Sequence, residues 1–166
     1  DITFVEAATA GATGSFTATA HSLAIGAAIT GNGGIALYPN ADGLGIALSD
    51  GPGAFSLTLA ELNLLVSTGT LTIGLTAGVG SSNAIAIGSA AAADLSSMAY
   101  NLTLQSANQS LAFHGLVGPV LKLGNDKTMI VNLGTGTITG AGVGVQDIYL
   151  PKSVGSGTLQ LTAGDI

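Results

Sequence analysis

The stretch Gly69-Thr70-Leu71-Thr72-Ile73-Gly74 decides the fold. Its core, Leu71-Thr72-Ile73, is one of five short triplets with apolar outer residues. The others are Ile35-Ala36-Leu37, Leu102-Thr103-Leu104, Met129-Ile130-Val131 and Leu159-Gln160-Leu161, and successive copies lie 36, 31, 27 and 30 residues apart. The alternation within each triplet is the period-2 signature of a strand with one buried face. Recurrence at this interval is what a solenoid leaves in its sequence.

Working outward, two further apolar segments follow most copies. Ile46-Ala47-Leu48 and Phe55-Ser56-Leu57 come after the first; Ala84-Ile85-Ala86-Ile87 and Ala93-Asp94-Leu95 come after the second. Leu111-Ala112-Phe113 and Val120-Leu121-Lys122-Leu123 follow the third, and Thr137-Ile138-Thr139 and Ile148-Tyr149-Leu150 the fourth. Three short strands per repeat, joined by Gly-rich corners, predict an all-β parallel β-helix (solenoid) of about five three-stranded coils. Short regular strands also fit an antiparallel sandwich or jelly roll, a pilin-like subunit that polymerises by strand exchange.

Composition fits stacked coils. The 26 Gly residues supply corners where backbones approach closely, and the 47 % hydrophobic content with only 4 % aromatics suits ladders of small aliphatic side chains. A chain of 166 residues is one domain's worth, read as a single solenoid domain over 1–166. Thr58 and Glu61 have capping-box spacing ahead of Leu62, Leu64, Leu65 and Val66, which predicts a short helical excursion near 59–66. Ser89 to Tyr100 is Ala-rich enough for a second helix, but Gly88 and Ser96-Ser97 favour a bulging corner.

Several chemistries are argued against. Without Cys there is no disulfide framework and no thiolate metal site. A net charge of −6 with only three cations, Lys122, Lys127 and Lys152, excludes the phosphate contacts on which nucleic-acid binding depends. The richest apolar stretch, Ala84 to Leu95, is broken by Gly88, Ser89 and Asp94, so no membrane span is expected. His21 and His114 fall in different repeats and read as surface or corner residues. Asp42 and Asp50 share a coil while Asp94, Asp126 and Asp147 lie in later ones, so no carboxylate pair for glycoside chemistry stands out. Gly31-Asn32-Gly33-Gly34 lacks the Asp of a calcium-binding repeat, and Gly140-Ala141-Gly142-Val143-Gly144 lacks the strand-to-helix setting of a nucleotide site. Middle positions of the triplets are Ala36, Thr72, Thr103, Ile130 and Gln160, an interrupted array for an ice-binding threonine face. Sequons at Asn101-Leu102-Thr103 and Asn108-Gln109-Ser110 matter only in a glycosylating pathway. No catalytic, cofactor-binding or metal-binding residue, and no cofactor, is therefore expected.

Phe55 to Gly74, with its Ala60-Glu61-Leu62 followed by Gly69-Thr70-Leu71-Thr72-Ile73-Gly74, resembles a recurring phrase of the filamentous haemagglutinin-like exoproteins of bacterial two-partner secretion. The later Asp94-Leu95-Ser96 and Tyr100-Asn101-Leu102-Thr103-Leu104-Gln105-Ser106 extend the likeness, which is clearest from Gly33 to Gly140. The resemblance implies a right-handed parallel β-helix within a long secreted surface fibre that mediates adhesion, with host or neighbouring-cell receptors as partners. The Asn-Pro-Asn type motif of the family's secretion domain is not found; Pro39-Asn40 is the one Pro-Asn pair and sits in a corner.

Neither end carries a polar capping repeat of the kind solenoids use to close their edges. The opening Asp1-Ile2 matches Asp165-Ile166, and overlaying them runs Leu159 to Gly164 into Asp1 to Val5 as strand, Gly corner and strand. Phe16-Thr17-Ala18 or Leu23-Ala24-Ile25 would supply the third strand of that coil. The start, which has neither an initiator Met nor a basic leader, reads as a processed or excised chain. The expectation is a segment of a longer fibre, continued covalently or by end-to-end stacking on itself, in a secreted adhesin or extracellular filament. A polysaccharide-acting lyase or hydrolase on the same solenoid is the competing function.

Overall fold

The computed structural model describes residues 1–49, 53–88, 93–114, 119–140, 146–149 and 158–164. Nineteen short strands and one helical turn make up the regular structure of the described residues. In chain order they are β1 (Ile2–Phe4), β2 (Ala8–Thr9), β3 (Ser15–Ala20), β4 (Leu23–Ile25), β5 (Ile29–Thr30), β6 (Gly34–Pro39), β7 (Ile46–Leu48), β8 (Phe55–Leu57), α1 (Leu59–Leu62), β9 (Leu65–Val66), β10 (Thr70–Ile73), β11 (Ile85–Ile87), β12 (Ala93–Leu95), β13 (Asn101–Gln105), β14 (Leu111–Phe113), β15 (Pro119–Leu123), β16 (Thr128–Asn132), β17 (Ile138–Thr139), β18 (Gln146–Tyr149) and β19 (Thr158–Thr162). Every strand pairing among the described residues is parallel, which overturns the antiparallel sandwich or jelly roll.

The recurrent triplets form one six-stranded sheet in the order β19-β16-β13-β10-β6-β3. Their register is residue for residue: Leu71 lies opposite Ile35 and Leu102, Leu102 opposite Met129, and Met129 opposite Leu159. Because side chains alternate across a strand, this register stacks all outer residues on the inner face, and a slip of one would turn the whole set outward. Leu37, Leu71, Ile73, Leu102, Leu104, Met129 and Val131 are fully buried. Each such burial contributes about 1.5–3 kcal/mol.

A sixth copy appears that the spacing did not reveal. Phe16-Thr17-Ala18 pairs with Ile35-Ala36-Leu37, 19 residues on, so it extends the triplet stack and does not serve as a third strand elsewhere. Leu23-Ala24-Ile25 pairs instead with Ile2-Thr3-Phe4, and Phe4 meets Phe16 edge to face with ring centres 5.4 Å apart.

The companion segments build the other sheets. Ile46, Ile85 and Leu111 are aligned in the sheet β17-β14-β11-β7-β8; Ala93 faces Leu121 in β12-β15-β18; Ala8, Ile29 and Leu65 are aligned in β2-β5-β9. From β10 onward the chain visits the triplet sheet, then the β7 sheet, then the β12 sheet, and repeats the order.

One expected third strand is displaced. Phe55-Ser56-Leu57 pairs in parallel with Ile46-Ala47-Leu48, the strand just before it, and lies against β4 on its other side. Parallel neighbours usually need a crossover of a dozen residues or more. Here residues 49–54 suffice, because three-residue strands require a return of only about 10 Å. The second stack thus holds one strand more than its neighbours' pattern calls for.

The helix is shorter than the predicted excursion. Thr58 and Glu61 form the full capping box around Leu59–Leu62, but the chain is extended again at Leu65–Val66. Burial of Leu62 and Leu65 on the same core outweighs continuing a helix of one turn. In the Ala-rich stretch, 89–92 lie outside the described residues, while Ala93–Leu95 is a strand followed by a turn at Ser96-Ser97.

Candidate functional site

The six-stranded sheet, which has the most strands among the described residues, presents an outer face. Residues that alternate with the buried triplet positions line it: Thr17, Ala36, Thr72, Thr103, Ile130 and Gln160 form its central row. Flanking rows add Ser15, Gly34, Thr70, Asn101, Thr128 and Thr158 on one side and Thr19, Tyr38, Gln105, Asn132 and Thr162 on the other. No position on this face is charged. Ala36, Ile130 and Gln160 break the run of threonines, so the central row is the interrupted array expected from sequence.

Amide side chains tie neighbouring strands together there. Asn101 Oδ1 accepts the Thr128 backbone N–H at 2.9 Å, and Gln105 Nε2 donates to the Gly74 carbonyl at 2.9 Å. Gly74 has φ +89, and a Cβ on it would collide with the Gln105 carbonyl. Small residues leave a notch at Gly34 and Ala36, bounded by Ser15, Thr17, Thr70 and Thr72, of about 190 Å³. Ligand pockets run from about 300 to 1,000 Å³. A second shallow groove, about 160 Å³, lies between Leu65-Val66 and Ser97-Met98-Ala99, where β9 and β12 belong to different sheets. Neither is an enclosed pocket with converging charged groups.

Polar side chains instead concentrate at corners. Asn83, 1 % exposed, accepts from the Leu44 and Gly45 backbone N–H groups through Oδ1 and donates through Nδ2 to the Ala41 and Gly80 carbonyls. Asp42 Oδ1 accepts from Gly80 N–H at 3.0 Å and Ser82 N–H at 2.9 Å. Ser106, also buried, donates to the Ser81 and Asn83 carbonyls. These bonds satisfy backbone groups that the corners leave without sheet partners. Sequence reading singled out neither Asn83 nor Ser106; Gly80-Ser81-Ser82-Asn83 carried the turn composition but not its burial.

The predicted acids and cations are dispersed. Asp94 on β12 faces Lys122 on β15 directly across the sheet, with Lys122 Nζ 3.3 Å from Asp94 Oδ2. Lys122 is therefore a strand residue, in keeping with its place in the segment Val120-Leu121-Lys122-Leu123. A hydrogen bond from Ser96 holds the Asp94 carboxyl below the ordinary carboxylate range against its partial burial, and Lys122 adds to that effect. Asp126 takes a left-handed turn conformation, φ +59. Lys127 precedes β16, and its carbonyl accepts from Thr158 N–H at 3.2 Å. Asp147 belongs to β18, whereas Asp50, Lys152 and the pair Asp165-Ile166 lie outside the described residues, as does most of Gly140 to Gly144. His21 is exposed in the bend between β3 and β4, and His114 is exposed just after β14. Among the described residues no three His, Asp or Glu side chains gather where they could hold a metal ion. No helix of the described residues is long and apolar enough to cross a membrane.

Tyr100 and Asn108 are engaged in the same way. Tyr100 is buried and donates to the Leu62 carbonyl at 3.4 Å, and burial pushes its phenol well above the ordinary tyrosine range. Asn108, in the second sequon, uses Oδ1 to accept from the Thr135 backbone N–H and hydroxyl at 3.0 and 3.1 Å. Comparison of the chain with protein-family models, with curated proteins and with solved structures finds no match.

Proposed function

We propose that this chain is a stiff structural segment of a right-handed parallel β-solenoid, the shaft of a secreted bacterial surface adhesin or extracellular filament. The observation that carries the reading is the in-register alignment of six triplets from parts of the chain 19 to 36 residues apart, visited in rotation with two other sets of strands. Rotation of this kind winds a chain around one core, and right-handed crossovers are the rule for parallel strands. Each layer then contacts only its neighbours, so length can grow without a larger core.

The surface chemistry supports a mechanical role. Hydroxyl and amide side chains predominate on the outer face of the six-stranded sheet, charges are few, and Asp42 and Asn83 are engaged in holding backbone. The resemblance to filamentous haemagglutinin-like exoproteins points the same way. A shaft would present receptor-binding elements to other cells and continue either along the same polypeptide or through copies of itself.

Immunogold electron microscopy of the source cells tests this reading, together with intact-mass measurement of the native material. Label along surface fibres, on a species larger than 16.0 kDa or assembled from it, is the expected result. Label confined to the cell interior on an isolated 16.0 kDa particle would overturn it.

A further inference from the structure

The outer face of the six-stranded sheet is a grid and not a single row. Strand register sets three outward rows side by side, headed on β3 by Ser15, Thr17 and Thr19. Strands whose central residue is Ile130 or Gln160 therefore still present Thr128, Thr158 and Thr162 beside it. Neighbouring strands lie about 4.8 Å apart, and successive outward residues along one strand about 6.6 Å apart. Threonine is stiff at χ1, so its hydroxyl and methyl keep fixed places in the grid.

What such a grid can meet follows from its side chains. None of the serine and threonine hydroxyls in the three rows bonds to another group among the described residues, whereas corner threonines do: Thr68 donates to the Asn32 carbonyl at 3.4 Å and Thr135 to Asn108 Oδ1 at 3.1 Å. The amides are held down against the sheet, Asn101 and Gln105 by the bonds described above and Asn132 by accepting from Gly134 N–H at 3.4 Å. No position is charged. A stable protein interface takes about 800 Å² from each partner and is anchored by aromatic or arginine side chains. The grid spans only about 300 Å² and offers Tyr38 alone. Most of the amides that a sugar would bond to are committed to backbone. Hydroxyls without protein partners, evenly spaced and interleaved with methyls, suit ordered water, because each can both donate and accept. The two spacings are also close to the oxygen repeats on the prism face of hexagonal ice.

We infer that this face binds ice, with Thr17, Thr72 and Thr103 at its centre. The notch at Gly34 and Ala36, rimmed by Ser15, Thr17, Thr70 and Thr72, has room for several water molecules, which the rim hydroxyls anchor in line with the grid. Ala36 therefore interrupts the threonines without interrupting the layer of water. Adsorption at this plane stops an ice crystal from growing there. The inference needs only the in-register sheet and does not depend on the chain being part of a fibre.

Ice-affinity partitioning and recrystallisation assays on the 166-residue chain test it. The unsubstituted chain is expected to enter a growing ice hemisphere and to keep ice grains small at micromolar concentration. Thr72→Lys and Thr103→Lys each raise a charged side chain in the middle of the grid, at outward positions that leave the buried ladders intact, and should abolish both effects. Ser56→Lys, at an exposed position of a different sheet, should change neither. Circular dichroism and urea midpoints verify the fold of each variant, and Thr17→Lys replaces any that fails to fold. Exclusion of the unsubstituted chain from ice, or equal loss of activity in Ser56→Lys and Thr72→Lys, overturns the inference. So does capture by a glycan array that Thr72→Lys abolishes, without partition into ice, since the face would then belong to a sugar.

Discussion

Glu61 stands in for a missing strand partner of Ile25. One carboxylate oxygen of Glu61 accepts the backbone N–H of Ile25 at 2.9 Å, across 36 residues of sequence, while the other accepts the Thr58 backbone N–H and hydroxyl at 2.8 Å each. Ile25 is 4 % exposed, so its N–H would otherwise be buried without an acceptor. The extra strand β8 separates β4 from β7 without continuing the backbone ladder to β4, and the capped turn behind it supplies the acceptor. The capping box therefore serves the sheet as much as the helix.

Removing that carboxylate should cost more than removing the cap alone. Glu61→Ala strands the Ile25 and Thr58 N–H groups and is expected to destabilise by about 2–3 kcal/mol, against about 1 kcal/mol for Thr58→Ala. Glu61→Gln, which keeps one amide oxygen, should fall between native and Glu61→Ala. Urea unfolding midpoints check the order; equal losses for Glu61→Ala and Thr58→Ala would show that the bond to Ile25 contributes nothing.

Asn83 should be irreplaceable by an apolar residue of its size. Asn83→Leu leaves two N–H groups and two carbonyls at the corner without partners, for an expected loss of about 3 kcal/mol or more. Asn83→Asp keeps the acceptor but cannot donate to Ala41 and Gly80 and buries a charge, so it should be no milder. Denaturant titration measures both, and hydrogen exchange should show Leu44 and Gly45 losing protection first.

Ser49 offers the opposite case. It is fully buried, has φ +56, and its hydroxyl finds no hydrogen-bond partner among the described residues. Ser49→Ala removes an unsatisfied polar group, and Ser49→Gly also relieves the left-handed backbone. Both are expected to raise stability, by up to about 1 kcal/mol; a loss of stability for Ser49→Ala would reveal that the hydroxyl is satisfied.

The Asp94 carboxyl, bonded to Ser96 and paired with Lys122, sets a small acid dependence. Because the folded state holds the Asp94 carboxyl below its ordinary value of 3.8, the group adds stability at pH above that value and loses it as pH falls through the depressed one. Asp94 is half exposed, so the increment is under about 1 kcal/mol and shrinks with salt. Comparing native protein with Asp94→Asn at pH 7 and pH 3 should show the larger difference at the higher pH. Most of it should survive in Lys122→Met, since the bond to Ser96 is the larger cause.

Much of the fold is legible in the sequence because its buried face is written at two periods at once. Within each triplet the alternation names the inward residues, and between triplets the spacing aligns them, so five of the six strands in the main sheet are found with their register. Phe16-Thr17-Ala18 escapes because Ala18 is a weak apolar signal and its interval of 19 lies outside the others. The face lined by Thr17, Thr72 and Thr103 follows from the same alternation. Asn83 and Glu61 do not, since their roles depend on backbone groups 36 to 42 residues away.

By itself the sequence determined strand identity, inward and outward faces, the capped turn at Thr58 to Glu61 and the scarcity of charge. These are local properties, set by side-chain alternation and by hydrogen bonds spanning three residues. Only the tertiary structure decided that Phe55-Ser56-Leu57 pairs beside Ile46-Ala47-Leu48, that Lys122 meets Asp94, and that Glu61 completes Ile25. A strand's pattern states which face it buries but not which edge it offers to which neighbour, because every backbone presents the same donors and acceptors. That choice is made by how the loops close and by which buried groups would otherwise be left unpaired.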